Sequence, residues 1–248
     1  MAIDLSKMRA KLQASEGKQK SSGKDLFWKP TDGDSVIRIV PDRDGDPFRE
    51  FWFHYGVGDA AGFLSPKKNF GEEDVLDAYV RKLFNDGSEE SREEAKKLMA
   101  KQRFFSPVIV RGEEEKGVRL WGYSKTVYQK LLQLVLNPDY GDITDSEEGT
   151  DLTINYGKKA GQMFPTTEIF PSRRSSPLHT DRNIAKELMD TDIDYGSVFS
   201  RKTPDEVKVL LENHLSGETD DSDDGTGSTH YAADEDAADQ AFKSLLSA

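Results

Sequence analysis

The chain has no cysteine among its 248 residues and only four histidines, His54, His179, His214 and His230, which are dispersed without ligand spacing. Disulfides and thiolate metal sites are thereby excluded, and zinc is not expected, since closed zinc sites draw on cysteine and histidine at short characteristic spacings. No apolar run approaches the ~20 residues of a membrane span, and the first residues lack the apolar stretch of a secretory signal. A soluble intracellular protein with no membrane partner is the expectation. Catalytic signatures are missing as well: there is no G-x-S-x-G elbow, no Walker phosphate loop and no H-E-x-x-H pair. The carboxylates Glu113, Glu114 and Glu115 read as a solvated turn, and an enzyme is not expected.

Charge is abundant and unevenly placed. Lys and Arg number 34 against 46 Asp and Glu, a formal net charge of -12. Residues 216–248 hold nine carboxylates, among them Asp234, Glu235 and Asp236, against one lysine, a local charge of -8 that leaves -4 for the preceding chain. They end in the apolar residues Phe242, Leu245 and Leu246. Such like-charged blocks repel themselves out of a compact core and commonly serve as interaction tails. Residues 1–24 have the opposite sign: Asp4 and Glu16 face Lys7, Arg9, Lys11, Lys18, Lys20 and Lys24. Because screening confines fields to roughly 8 Å at physiological salt, these segmental charges inform on partners more than the net charge does. Leu5, Met8 and Leu12 recur at helical spacing there, which predicts a short basic amphipathic helix.

Between the ends lie about 190 residues, enough for one substantial domain. The sequence predicts a mixed α/β class centred on β. Val36, Ile37, Ile39 and Val40 surround Arg38 in one strand. In the next, Phe51 and Phe53 face one side while Trp52 and His54 face the other. "RFFSPVIVR" and "GVRLWGYS" form a hairpin across a charged turn at 112–117, and "TDLTINY" adds a further strand. This meander suggests a barrel. Helices are predicted from the stripe Val75, Leu76, Tyr79, Val80 and Leu83, over 88–101, after Ser124, and after Thr203-Pro204-Asp205-Glu206, which combines a capping box with proline at the first helical position.

Aromatics interleave with basic residues throughout: Arg49 with Phe51, Trp52, Phe53 and Tyr55; Lys101 and Arg103 with Phe104 and Phe105; Arg119 with Trp121, Tyr123 and Lys125; Lys158 and Lys159 ahead of Phe164. A single nucleic-acid strand offers base faces to stack and phosphates to neutralise, so a groove of this texture suits it. Alternation assigns Phe51, Phe53 and Tyr123 to packing. Phe104, Phe105, Trp121, Phe164 and Trp52 are the stacking candidates, and Arg38, Lys101, Arg103, Lys125, Lys158, Lys159, Arg173 and Arg174 the phosphate candidates. For Arg38, a groove-facing position and a solvated sheet face remain equal alternatives, as do phosphate contact and a solvated loop for Arg173 and Arg174.

The blocks "GDSVIRIVPDRDGDPFREFWFHYG", "RFFSPVIVRGEEEKGVRLWGYSKTVYQKL" and "DITDSEEGTDLTINYGKKAGQMFPTTEIFPSRRSSPL" resemble the single-stranded DNA-binding, helix-destabilising proteins of T-even-type bacteriophages. That resemblance implies an OB-fold, a five-stranded Greek-key barrel, over 25–185, with a helical subdomain at about 64–101 and closing helices at 186–215. It also implies cooperative coating of single strands in DNA replication, recombination and repair, in the cytoplasm of an infected bacterial host. A basic arm at 1–24 with Lys7, Arg9 and Lys11 would contact the neighbouring copy, and the acidic tail at 216–248 would engage phage replication and recombination proteins. Phe105, Trp121 and Phe164 fall near the family's base-contacting aromatics. One departure stands out: the family's zinc subdomain uses three cysteines and a histidine, and only His54 has a counterpart here. The helix at 75–83 is expected to pack the subdomain by hydrophobic burial in place of the metal. The competing reading is an acidic interaction or scaffold protein of the replication or virion machinery that does not bind DNA, its aromatics all serving a β core.

Overall fold

A computed structural model describes residues 26–41, 45–58, 60 and 62–216. The basic arm with Lys7, Arg9 and Lys11 and the tail residues Asp234, Glu235, Asp236, Phe242, Leu245 and Leu246 lie outside the described residues. The strands are β1 Phe27–Trp28, β2 Gly33–Ile39, β3 Arg49–His54, β4 Phe63–Leu64, β5 Lys101–Val110, β6 Arg119–Tyr123, β7 Thr150–Gly157 and β8 Thr166–Ser175. The helices are α1 Pro66–Phe70, α2 Val75–Asp86, α3 Glu89–Leu98, α4 Lys125–Val135, α5 Arg182–Met189, α6 Tyr195–Val198 and α7 Pro204–Ser216. No described helix is long and apolar enough to cross a membrane.

The strands form one large sheet, so the class is mixed and β-centred. Its order is β1-β6-β5-β2-β7-β8, with β3 on β5 and β4 on β3. The ten-residue β5 organises it. One edge pairs with β6; the other is shared end to end, with β3 opposite Lys101 to Phe105 and β2 opposite Val108 to Val110. Among the described residues eight strands are paired, and the sheet does not close: the terminal strands β1 and β8 do not join.

β5 is covered on both faces. Phe104, Val108 and Val110 enter a core with Trp28, Ile37, Ile39, Trp121, Tyr123 and the α4 residues Val127 and Leu131. The alternate residue Phe105 joins Phe53, Tyr55, Leu120 and Phe199, and Ile109 joins Val40, Leu178 and the α5 residues Ala185 and Leu188. Hence every residue from Arg103 to Val110 is buried.

The chain between β4 and β5 forms the helical insert. Ser65 caps α1 and Asp74 caps α2, its carboxylate accepting from the Leu76 and Asp77 amides. Gly87, at φ 80°, ends α2 in the left-handed region that glycine occupies without steric cost, and Ser88 starts α3. The insert packs through Leu76, Val80, Ala95 and Leu98 with Val57 and Phe63, and α7 completes that cluster with Val207 and Leu211. Of the segments after residue 185, α7 thus packs on the insert while Ile193 and Phe199 pack on the β3 side of the sheet.

Candidate nucleic-acid interface

Burial sorts the sequence-derived candidates. Phe104 is 2 % exposed, Phe105 0 % and Trp121 1 %. The expectation that these rings stack on bases is corrected, because each already has its faces and edges occupied. Phe104 stacks on Tyr128 at 4.0 Å between centroids, Phe105 lies 4.7 Å from Phe199 and 5.9 Å from Phe51, and Trp121 meets Trp28 edge-on at 5.8 Å. Tyr123 packs as expected. Its buried hydroxyl donates to Ser106 Oγ at 2.6 Å, since Ser106 itself donates to the Pro47 carbonyl, and burial pushes its pKa up.

Arg38 is also corrected: it faces neither a groove nor solvent. Its side chain is fully buried beneath the turn at 145–149 and the end of β8. Nε donates to Asp151 at 2.9 Å, Nη1 to the Asp145 carbonyl at 3.2 Å, and Nη2 to the Gly149 carbonyl at 3.1 Å, the Ser176 carbonyl at 2.8 Å and Ser176 Oγ at 2.7 Å. Burial pushes its pKa down, Asp151 pulls it back and the neighbouring Arg111 charge opposes it. Arg111 shares Asp151 and donates to the carbonyls of Pro177 and Leu178. Gly149 sits against this fork so closely that a Cβ there would lie 2.3 Å from the Asp145 carbonyl oxygen and 2.6 Å from Arg38 Nη1. Arg103 is buried too, opposite Phe51 in the ladder, so its expected phosphate contact is likewise corrected. Lys101 is half-buried and donates to the Lys96 carbonyl at 2.6 Å; burial and then Arg103 push its pKa down.

The remaining candidates stay accessible. Lys125 opens α4 and is exposed. Lys158, Lys159, Arg173 and Arg174 are exposed on and beside the β7–β8 hairpin, with Phe164 half-buried in its loop. Lys159 pairs with Glu168 across the hairpin, and the β8 strand carries an irregularity just where Arg173 and Arg174 emerge. Sequence reasoning missed three neighbours: Met163 is 77 % exposed, Phe170 is 52 % exposed on β8, and Lys130 reaches the Thr167 carbonyl from α4. The signal for Phe170 was available, since it pairs with Thr153 and so lies on the opposite sheet face from the core residues Ile154 and Ile169.

Trp52 is half-buried on β3. Its backbone is clamped by Asn69, whose Oδ1 accepts from the Trp52 amide at 2.9 Å and whose Nδ2 donates to the Trp52 carbonyl at 2.7 Å. The indole Nε1 donates to Glu50 at 2.7 Å.

His54 is buried between two acceptors, with Nδ1 2.8 Å from the Leu98 carbonyl oxygen and Nε2 3.2 Å from Asp74 Oδ2; Ser65 Oγ also donates to Asp74. Burial raises the Asp74 pKa, but the bonds to His54 and Ser65 and the helix-capping amides outweigh it and hold the carboxyl at about 2. Both ring nitrogens of His54 are therefore engaged by protein. Among the described residues no cluster of three or more His, Cys, Asp or Glu is placed to hold a metal ion.

The structure is thus β-centred with most of the candidate rings inside, and four of its exposed cations, Lys158, Lys159, Arg173 and Arg174, lie on or beside the β7–β8 hairpin. The family described as gp32 DNA binding protein like matches residues 31–214. The chain belongs to that family of DNA-binding proteins. No curated protein matches it.

Proposed function

We propose that this is a non-enzymatic single-stranded DNA-binding protein that coats strands cooperatively and with little sequence preference. The observation that carries the reading is the β7–β8 hairpin, on and beside which Lys158, Lys159, Arg173, Arg174 and Phe170 are exposed and Phe164 is half-buried. The cations neutralise successive phosphates and the rings take base faces, which every base offers, so the contact is tolerant of sequence. Lys125 adds an exposed cation at the start of α4, the helix whose Lys130 reaches β8, and Trp52 offers a further ring away from the hairpin, on β3. The sheet is read as an OB-type core left partly open, with β5 bridging its two halves.

In this reading the arm with Lys7, Arg9 and Lys11 docks on the neighbouring copy, and the tail with Asp234, Glu235, Asp236, Phe242, Leu245 and Leu246 recruits replication and recombination proteins. The tail also competes with DNA for the basic surface. The setting is replication, recombination and repair of phage DNA in the cytoplasm of the infected bacterium. The insert needs no zinc, because the hydrophobic cluster around Leu76, Val80 and Leu98 and the His54–Asp74 pair perform the packing.

Fluorescence titration of the full chain with poly(dT) and with duplex DNA at several salt concentrations tests the function. Preference for the single strand, with log K falling by about 0.7 per neutralised phosphate for each unit of log salt, supports it. Flat titrations with both polymers refute it and favour the interaction protein.

A further inference from the structure

Outside the hairpin, three chain segments converge on a second surface. α1 is short, but its register is fixed at both ends: Ser65 caps it, and Asn69 bonds to the Trp52 backbone and to the Ser65 carbonyl. This holds Lys68 over the Trp52 ring, with Nζ 5.2 Å from the ring centroid. The next aromatic, Phe70, is 40 % exposed. The segment after α6 runs parallel to β4 through the Leu64–Arg201 bridge and the bond from the Leu64 amide to the Ser200 carbonyl. It thereby lays the Arg201 guanidinium over Phe70, 4.0 Å from the ring centroid.

Significant ring–cation pairs occur about once per 70–80 residues, so two such pairs meeting on one short helix mark a local concentration. The charges divide the roles. Lys67 pairs with Asp77, Arg201 with Glu72, and the Trp52 indole bonds Glu50, which leaves this surface close to neutral. Lys68 makes no ion pair among the described residues. A near-neutral surface of exposed, cation-backed rings suits base faces more than it suits a run of phosphates.

Resting on the single-strand reading above, we propose that Trp52, Lys68, Phe70 and Arg201 form a second base-stacking platform for single-stranded DNA, separate from the β7–β8 hairpin. Trp52 and Phe70 each take a base, Arg201 fixes the Phe70 ring and Lys68 meets one phosphate. An acidic peptide is the other conceivable occupant. The near balance of charge disfavours it, since such a peptide would gain little electrostatic attraction here.

The test compares the full-length protein with Phe70→Leu, Trp52→Phe and Lys68→Gln, titrated with poly(dT) over a salt series and with a synthetic peptide of residues 217–248. Phe70→Leu is expected to weaken poly(dT) binding about 5- to 150-fold, the worth of one stacked base, with the salt slope unchanged. Lys68→Gln is expected to lower the slope by about 0.7. Trp28 and Trp121 are core residues, so Trp52→Phe should abolish most of the DNA-induced tryptophan quenching. Lys68 is exposed and makes no backbone-clamping bond through its side chain, so its variant keeps the test valid if a ring variant fails to fold. If the parent binds poly(dT) and all three variants match it in affinity, slope and quenching, the platform is overturned while the DNA-binding reading stands. If the parent does not bind poly(dT), that reading itself fails. Loss of peptide binding without loss of poly(dT) binding also overturns the platform and assigns the surface to an acidic segment.

Discussion

Replacing Arg38 by methionine separates the buried clasp seen in the structure from the phosphate contact that the sequence offered as one alternative. The methionine keeps most of the stem volume but removes five hydrogen bonds, to Asp151, Asp145, Gly149 and Ser176. Breaking one side of a buried ion pair costs about 3–5 kcal/mol. The lower end applies here, because Asp151 keeps Arg111 and Ser176, the Gly149 carbonyl keeps the Ser176 amide and the Asp145 carbonyl keeps the Gly149 amide. A loss of about 3 kcal/mol corresponds to a fall in Tm of roughly 6–12 °C for a domain of this size. Thermal melting followed by circular dichroism measures it, alongside poly(dT) titration at a temperature where the variant remains folded. The structure predicts a lower Tm with the salt slope of DNA binding intact. An unchanged Tm combined with a slope reduced by about 0.7 would mean that Arg38 contacts phosphate, and would refute the buried-fork account.

Gly149→Ala tests the same fork from the other side: its Cβ would displace Arg38 Nη1 and the turn, costing about 1–3 kcal/mol, and its effect should be less than additive with Arg38→Met in a double-mutant cycle. Asp74 has a folded pKa held at about 2, below its unfolded value of about 3.9, so the stability it contributes, roughly 2–3 kcal/mol, is complete above roughly pH 5 and lost as pH falls toward 2. Asp74→Asn should therefore lower Tm at pH 6 and flatten its decline between pH 5 and 2; parallel pH profiles for the two proteins would contradict this. Exchanging Lys158 and Lys159 for glutamine should reduce the salt slope for poly(dT) by up to about 1.4 while leaving Tm within a degree or two, as both are exposed.

Local chemistry made the class and much of the element order legible in the sequence. The capping box at Thr203 forms as read, with the Thr203 amide donating to Glu206 and the Glu206 amide to Thr203 Oγ1. The hairpin joining β5 to β6 and the apolar stripe of α2 also follow from period and turn residues alone, and the blocks that resemble the phage proteins lie largely within the span matched by the DNA-binding family. These features depend on residues a few positions apart, and neighbouring residues are what a sequence displays.

Exposure was decided by tertiary structure. Alternation along a strand separates two faces but does not say whether both are covered, and β5 has a packed layer on each side, so Phe104 and Phe105 are both core. Arg38 found its acceptors 107 to 138 residues away, which turned a candidate phosphate contact into a buried clasp. The same folding over distance placed Arg201 on Phe70 and α7 against the insert. Composition and spacing thus determined that rings and cations suited to a single strand were present; only the packing of distant segments determined which of them solvent, and hence DNA, can reach.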